Sequence, residues 1–183
     1  TRSIDAIVGG VFALLVTVLI PKDPRREPRN DVKKLLHELA EVLRECASAL
    51  SYSDSTQAWH ALIRGRNCQP LIDARRPSLR ASGEVATLAP AYRRHRDELD
   101  QMEQSLDFID LALRNSRVFA RRLTSAINHA ALSDEATQNI ADVLQDTADA
   151  VDELSLGLAE VHDGVRRSHL RTARTDLREI AGR

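Results

Sequence analysis

An uncharged, apolar stretch near the start of the chain constrains its fold more than any other feature. No charged side chain occurs in the sixteen residues between Asp5 and Lys22. As a helix, this stretch extends about 24 Å, at about 1.5 Å per residue. The hydrocarbon core of a bilayer is about 30 Å thick, so residues 4–20 are short for a span, although a thinned bilayer accommodates such a segment. They form either part of a transmembrane helix or a helix buried in a protein core.

The charges that flank this stretch favour the membrane interpretation. Only Arg2 precedes it, whereas four basic residues follow it between residues 22 and 29. Basic residues concentrate on the cytoplasmic side of a span, and a secretory signal would carry its positive charge ahead of the apolar run. We therefore expect residues 1–21 to end a transmembrane helix of a longer protein in the inner (plasma) membrane. Residues 4–20 then contact the lipid bilayer, and residues 22–183 lie in the cytoplasm.

Asp5 is the one acidic residue close to this apolar stretch on its N-terminal side. An ionisable side chain inside a membrane usually faces a helix bundle or water and is often functional. Asp5 is therefore a candidate intramembrane polar residue. The alternative is that it marks the membrane interface.

The rest of the chain has the composition and the periodicity of long helices. Ala, Leu, Arg, Glu and Asp dominate while Gly and Pro are sparse, which is typical of helices rather than sheets. Prolines 21, 24 and 28 predict a stiff linker over residues 22–30. Apolar residues then recur at alternating spacings of three and four, as in coiled coils. We expect residues 31–183 to form an elongated, antiparallel, all-α bundle with long heptad-patterned helices.

Capping residues and prolines divide this bundle into helices. The first helix carries a seam of Val32, Leu36, Leu39, Leu43, Cys46 and Leu50. Asp54 is placed to cap a second helix, which we expect to bury Trp59, Leu62 and Ile63. Pro70 and Pro77 predict that this helix either bends or consists of two collinear pieces reaching about Leu88.

Three further helices complete the predicted bundle. Pro90 suits the first turn of a third helix, which extends from about residue 91 to residue 131 with a seam from Leu99 to Ala130. Ser133 begins a fourth helix, whose seam is Ile140, Leu144, Thr147, Val151, Leu154, Leu158 and Val161. Gly164 suits a helix stop. A last, basic helix covers residues 165–180, and its charges either face solvent or approach anionic lipid.

The charges of the third and fourth helices are opposite in sign. Nine acidic residues and no Lys or Arg occur in residues 134–163, whereas the third helix carries four close arginines: Arg114, Arg117, Arg121 and Arg122. In one interpretation the two helices are antiparallel neighbours whose exposed charges pair weakly. In another, the arginines are a candidate site that contacts an anion or an acidic partner. The third alternative is a solvated surface.

No group of residues predicts catalytic or metal chemistry. None of the six histidines follows an acidic residue by three positions, as a di-iron bundle requires. A phosphate-binding glycine loop and a nucleophile elbow are also missing. Cys46 and Cys68 fit no metal or disulfide pattern, and reduced thiols agree with the cytoplasm. The net charge of −1 and 3% aromatic residues argue against nucleic acid. We expect no enzyme activity, no cofactor, no metal and no nucleic-acid partner.

Four short stretches also support a family assignment. They are Ile4-Asp-Ala-Ile-Val-Gly-Gly10, Leu19-Ile-Pro-Lys-Asp-Pro24, Val85-Ala-Thr-Leu-Ala-Pro90 and Ala112-Leu-Arg-Asn-Ser-Arg-Val-Phe-Ala-Arg-Arg122. Together they resemble the fusaric acid resistance and aromatic acid exporter-like family of membrane proteins. The resemblance implies that a membrane domain ends in residues 1–21, and that the full-length protein exports aromatic carboxylic acids. It transfers no site residue, although arginines 117, 121 and 122 match the pattern.

Two functional hypotheses follow. In the first, the chain is the cytoplasmic domain of a membrane transporter and serves assembly or regulation through helix packing between protomers. We expect a homo-oligomer, with a dimer as the first choice because two-fold symmetry is the commonest. In the alternative, the chain is a soluble helical scaffold that binds partner helices, and its apolar opening is buried in the bundle.

Overall fold

The computed structural model describes residues 26–88, 96–129, 133–160 and 163–182. Within these ranges the chain forms helices and no strand, so the predicted all-α bundle is confirmed. The six helices are α1 (Arg26–Ser51), α2 (Ser55–Asn67), α3 (Gln69–Leu88), α4 (Arg96–His129), α5 (Asp134–Ala159) and α6 (Asp163–Ala181). Residues 1–21, with Asp5, lie outside the described residues. Of the helices that are described, none is long and apolar enough to cross a bilayer.

Helix α1 is the centre of the bundle, and α2, α4 and α5 pack along it. Its predicted seam is confirmed: five of the six residues are buried, and Leu43 packs partly buried against them. Leu35, Ala40, Val42 and Ala49 are buried as well, although they lie on other faces of the helix. Because α1 is covered on most sides, it contributes to both core clusters of the protein.

Helix α1 begins earlier than the prolines predicted. It starts at Arg26, so the last five residues of the expected linker are helical and Pro28 lies in the first turn. The first four N–H groups of a helix have no partner within the helix. A proline in this turn therefore removes no hydrogen bond.

The second predicted helix consists of two pieces, α2 and α3, which meet at Cys68. Pro70 lies in the first turn of α3, and Pro77 lies inside it. The carboxylate of Asp54 accepts hydrogen bonds from the N–H groups of Thr56 (2.8 Å) and Gln57 (3.3 Å), which confirms the predicted cap. The alternative with two pieces is thus the correct one.

The predicted burial of Trp59 and Ile63 was wrong. Leu62 is buried, but Trp59 is 48% exposed and Ile63 is 39% exposed. The small residues Ala58, Ala61 and Gly65 form the buried face of α2 together with Leu62, so the helix approaches its neighbours closely along this face. The Trp59 ring therefore lies on the outer side, where the Arg66 guanidinium stacks 5.9 Å from its centroid.

The order of the helices in space differs from their order in sequence. Helix α3 runs antiparallel to α4, since Arg80 pairs with Glu103 and Gln69 pairs with Arg117. Helix α5 runs antiparallel to α1, where the Ser155 hydroxyl donates to the Lys33 carbonyl at 3.4 Å. Among the described residues, the main chains of α4 and α5 are not in contact; α5 packs on α1 and α6, and α6 packs on α5.

Candidate functional site

The four predicted arginines of α4 differ in their side-chain contacts. Arg114 is exposed and donates to Asp110, one turn earlier on the same helix, at 3.3 Å. Arg117 is half-buried and points towards α2 and α3, while Arg121 and Arg122 are exposed and form no ion pair with any described residue. Two of the four arginines are therefore held by side-chain contacts within the chain, and a common anion site remains a prediction.

Arg117 helps α4 to pack against α2. Its guanidinium donates to the Gln69 side chain at 3.0 Å. Its aliphatic part covers Gly65, where an added Cβ atom would lie 2.9 Å from the Arg117 Cγ. Only glycine gives this side chain enough room at such a short distance, so Arg117 has a packing role within the chain.

The predicted pairing between the arginines of α4 and the acidic residues of α5 was also wrong for the described residues. Two of these carboxylates instead bind Arg44 on α1, Asp149 at 2.8 Å and Asp152 at 2.6 Å. Arg44 also contacts Glu41 at 3.1 Å on its own helix. Hydrogen bonding to Asp149 is the main reason why the pKa of Arg44 rises above its usual value, despite partial burial.

Replacing Arg44 by methionine should weaken the docking of α5 on α1. Methionine keeps much of the aliphatic length but leaves three carboxylates together without their cation, which we expect to cost about 1–2 kcal/mol at low salt. Urea denaturation in about 0.05 M and 1 M salt measures this loss, which should shrink at 1 M because the Debye length falls to about 3 Å. The control is Arg171→Met on the exposed surface of α6. An equal loss at both salt concentrations would contradict the ionic origin.

The outer face of α4 carries an apolar stripe that was not predicted from the sequence. Phe108 is 71% exposed and Leu111 is 54% exposed. They belong to a series with alternating spacings of four and three, which we call the outer stripe: Gln104, Phe108, Leu111, Asn115, Val118 and Arg122. The buried seam has the same spacing, shifted by two residues: Met102, Leu106, Ile109, Leu113, Ser116 and Ala120. Since two residues rotate about 200° around a helix, the outer stripe lies opposite the buried seam and shares its spacing, although three of its six positions are polar.

The charges beside the outer stripe divide α4 into two halves. Exposed acidic residues occupy the N-terminal half, at Asp97, Asp100 and Asp107. Exposed basic residues occupy the C-terminal half, at Arg114, Arg121 and Arg122. The helix therefore presents an apolar centre with negative charge towards one end and positive charge towards the other.

A polar groove of about 500 Å³ lies between α1 and α2. Arg64 crosses it and donates to Glu45 at 2.8 Å and to Glu38 at 3.2 Å. Cys68 also lines this groove, but burial raises the pKa of its thiol to about 11, so it is not an activated nucleophile. The groove supplies ion pairs that join α1 to α2. Within the described ranges, no group of His, Cys, Asp and Glu side chains is placed to hold a metal ion.

Comparison with known proteins assigns neither a fold nor a function to this chain. The chain is similar to an uncharacterized protein of Corynebacterium glutamicum, with 31% identity over 121 residues. The matched region covers 66% of this chain and 31% of the relative, so the chain spans about a third of the relative's length. No protein-family model matches the chain, and no solved structure matches it either. The class that the fold defines is an all-α helical bundle with an exposed apolar stripe on its longest described helix.

Proposed function

We propose that this chain is the cytoplasmic part of a membrane transporter resembling the aromatic acid exporters, and that it serves assembly of the transporter. The observation that carries the proposal is the apolar segment at residues 4–20, in which Asp5 is the one charged residue and which basic residues follow closely. A bundle of helices begins directly after it, at Arg26. The export of aromatic carboxylic acids belongs to the full-length protein in this proposal.

Two further observations support a role in assembly. The outer stripe exposes apolar side chains on a helix of 34 residues, which is a typical surface for helix–helix contact. The relative from Corynebacterium glutamicum is about three times as long as the region that matches this chain. Such a length leaves room for a membrane domain beside the bundle.

Cell fractionation tests the membrane part of this proposal. The full-length protein should remain in the membrane pellet after a wash with alkaline carbonate, since an apolar helix in lipid is not released by high pH. Recovery of the protein in the soluble fraction would overturn the proposal.

The alternative function is a soluble scaffold that binds partner helices, and the exposed outer stripe also favours it. The two functions differ in the place of residues 1–20. Under our proposal, deletion of these residues should leave the thermal midpoint of the bundle within a few degrees of its original value. If the segment is instead buried among the helices, its deletion removes part of the core and should unfold the bundle.

A further inference from the structure

We propose that two copies of this chain associate through the outer stripe of α4, with the two helices antiparallel. The inference deepens the assembly role proposed above, on which its biological purpose rests, by naming the partner as a second copy. An antiparallel pair of identical helices has a two-fold axis, so each contact occurs twice. The sequence of α4 is complementary to itself in one such register.

This register places the two-fold axis between Ile109 and Asp110. Phe108 then lies opposite Leu111 of the partner subunit, which makes an apolar centre. Gln104 lies opposite Asn115 of the partner subunit, and such a polar layer inside a coiled coil fixes its register. At the end of the interface, Asp97 lies opposite Arg122 of the partner subunit. All these residues are exposed in the single chain, and only Val118 of the outer stripe is half-buried.

The flanking charges select the same register. It brings Asp107 to Arg114 of the partner subunit and Asp100 to Arg121 of the partner subunit. Within one chain Asp107 binds Arg76, and Arg114 binds Asp110. The contact between the two subunits would join these ion pairs into a larger network. A parallel arrangement would instead place the interface residues Asp97 and Arg122 each against its own copy, which like-charge repulsion disfavours. A shift by one heptad would place Arg114 against Arg114 of the partner subunit, which like-charge repulsion disfavours.

The surface is also accessible to a second copy. Helices α1, α2 and α3 pack on the other sides of α4. From Asp97 to Arg122 the helix is roughly 39 Å long, at about 1.5 Å per residue. This length corresponds to between three and four heptads.

The experiment measures the mass of the full 183-residue chain, purified in mild detergent, by light scattering corrected for bound detergent. The wild-type chain should be a dimer, and Leu111→Asp should be a monomer with unchanged helical content. The matched control is Val165→Asp, which also places a charge at an exposed apolar position but on α6, and it should remain a dimer. A monomeric wild-type chain would overturn the inference, as would a Leu111→Asp chain that stays dimeric.

Charge reversal tests the antiparallel register. Asp100→Arg alone and Arg121→Asp alone each create two like-charge contacts, so each should weaken the dimer at least tenfold. An equal mixture of the two single variants restores opposite charges at both contacts, as does the double variant. Both should regain the affinity of the wild-type chain. If neither does, this register is wrong.

The mass measurement tests the α4 contact separately from the proposed membrane role, because the mass of the chain in detergent does not depend on the compartment in which the protein occurs. A full-length protein in the soluble fraction with a dimeric wild-type chain would overturn the membrane role alone. A monomeric wild-type chain, with the full-length protein in the membrane, would overturn the α4 contact alone. In that case the variant Leu111→Cys shows whether another segment covers the outer stripe. The new thiol should react slowly with a thiol reagent if the stripe is covered, and rapidly if it is open to solvent.

Discussion

Leu113→Ala is expected to lower the free energy of unfolding by about 2–5 kcal/mol. The Leu113 side chain is 1% exposed and belongs to the core cluster that joins α1, α3, α4 and α5. Truncation removes buried methyl groups and leaves a cavity. The helices packed on three sides of α4 can fill this cavity only partly by moving inward. Because domains of this size are stable by only about 5–15 kcal/mol, the loss is a large share of the total. Urea denaturation followed by circular dichroism measures it.

Leu111→Ala provides a matched control on the same helix. The chemical change is identical and the position is only two residues away, but Leu111 lies on the outer stripe and is 54% exposed. In dilute solution its effect should stay within about 0.5 kcal/mol. Equal losses for the two variants would mean that the buried and exposed faces of α4 are assigned incorrectly. A loss for Leu111→Ala that grows with protein concentration would instead report the proposed self-association.

The helices themselves could be predicted from the sequence because their signals are local. The seam of α1, the Asp54 cap and the break near Pro70 depend on residues within one or two turns of each other. The Ser133 hydroxyl likewise accepts from the Ala136 N–H at 3.3 Å, where a start of α5 was predicted. Periodicity shows which face of a helix is apolar. It does not show which other helix covers that face.

Local sequence signals could not predict which helices pack against each other. Opposite charges on consecutive helices favoured α4 and α5 as neighbours, but α5 pairs through Arg44 of α1 instead. One signal was present and was not used: apolar residues such as Leu35, Val42 and Ala49 surround α1 outside its seam. A helix that is apolar on most sides is usually central. That signal indicates that α1 is central, although it does not name the helices that pack against it.

The candidate site was only partly predictable for a different reason. Arg114, Arg121 and Arg122 are a concentration of positive charge in the sequence, but a common role as one anion site depends on side-chain directions and stays a prediction. Arg117 turns inward over Gly65, and the others are spread along the exposed side. The outer stripe could have been found from its spacing. The stripe was missed because the more apolar series on the opposite face was by itself sufficient to predict the helix.

The second large effect concerns the two thiols, which are both free and buried. Burial, together with the charge of Glu45, raises the pKa of Cys46 to about 12. Burial and the charge of Glu38 raise the pKa of Cys68 to about 11. An ordinary thiol has a pKa of about 8.5, so the stability contributed by these neutral thiols is present below that pH. It is lost as the pH rises towards 11–12, because the unfolded chain ionises first.

At pH 8 the native thiols should therefore react with a thiol reagent at least about a hundredfold more slowly than the thiols of the urea-unfolded chain. Only the thiolate is nucleophilic, and a pKa of 11 leaves a thiolate fraction of roughly one in a thousand at this pH. Cys46 should be the slower of the two, since its pKa is about one unit higher. The single variants Cys46→Ala and Cys68→Ala assign each rate to its thiol. A native thiol that reacts as fast as the unfolded chain would show that its side of the core opens readily to solvent.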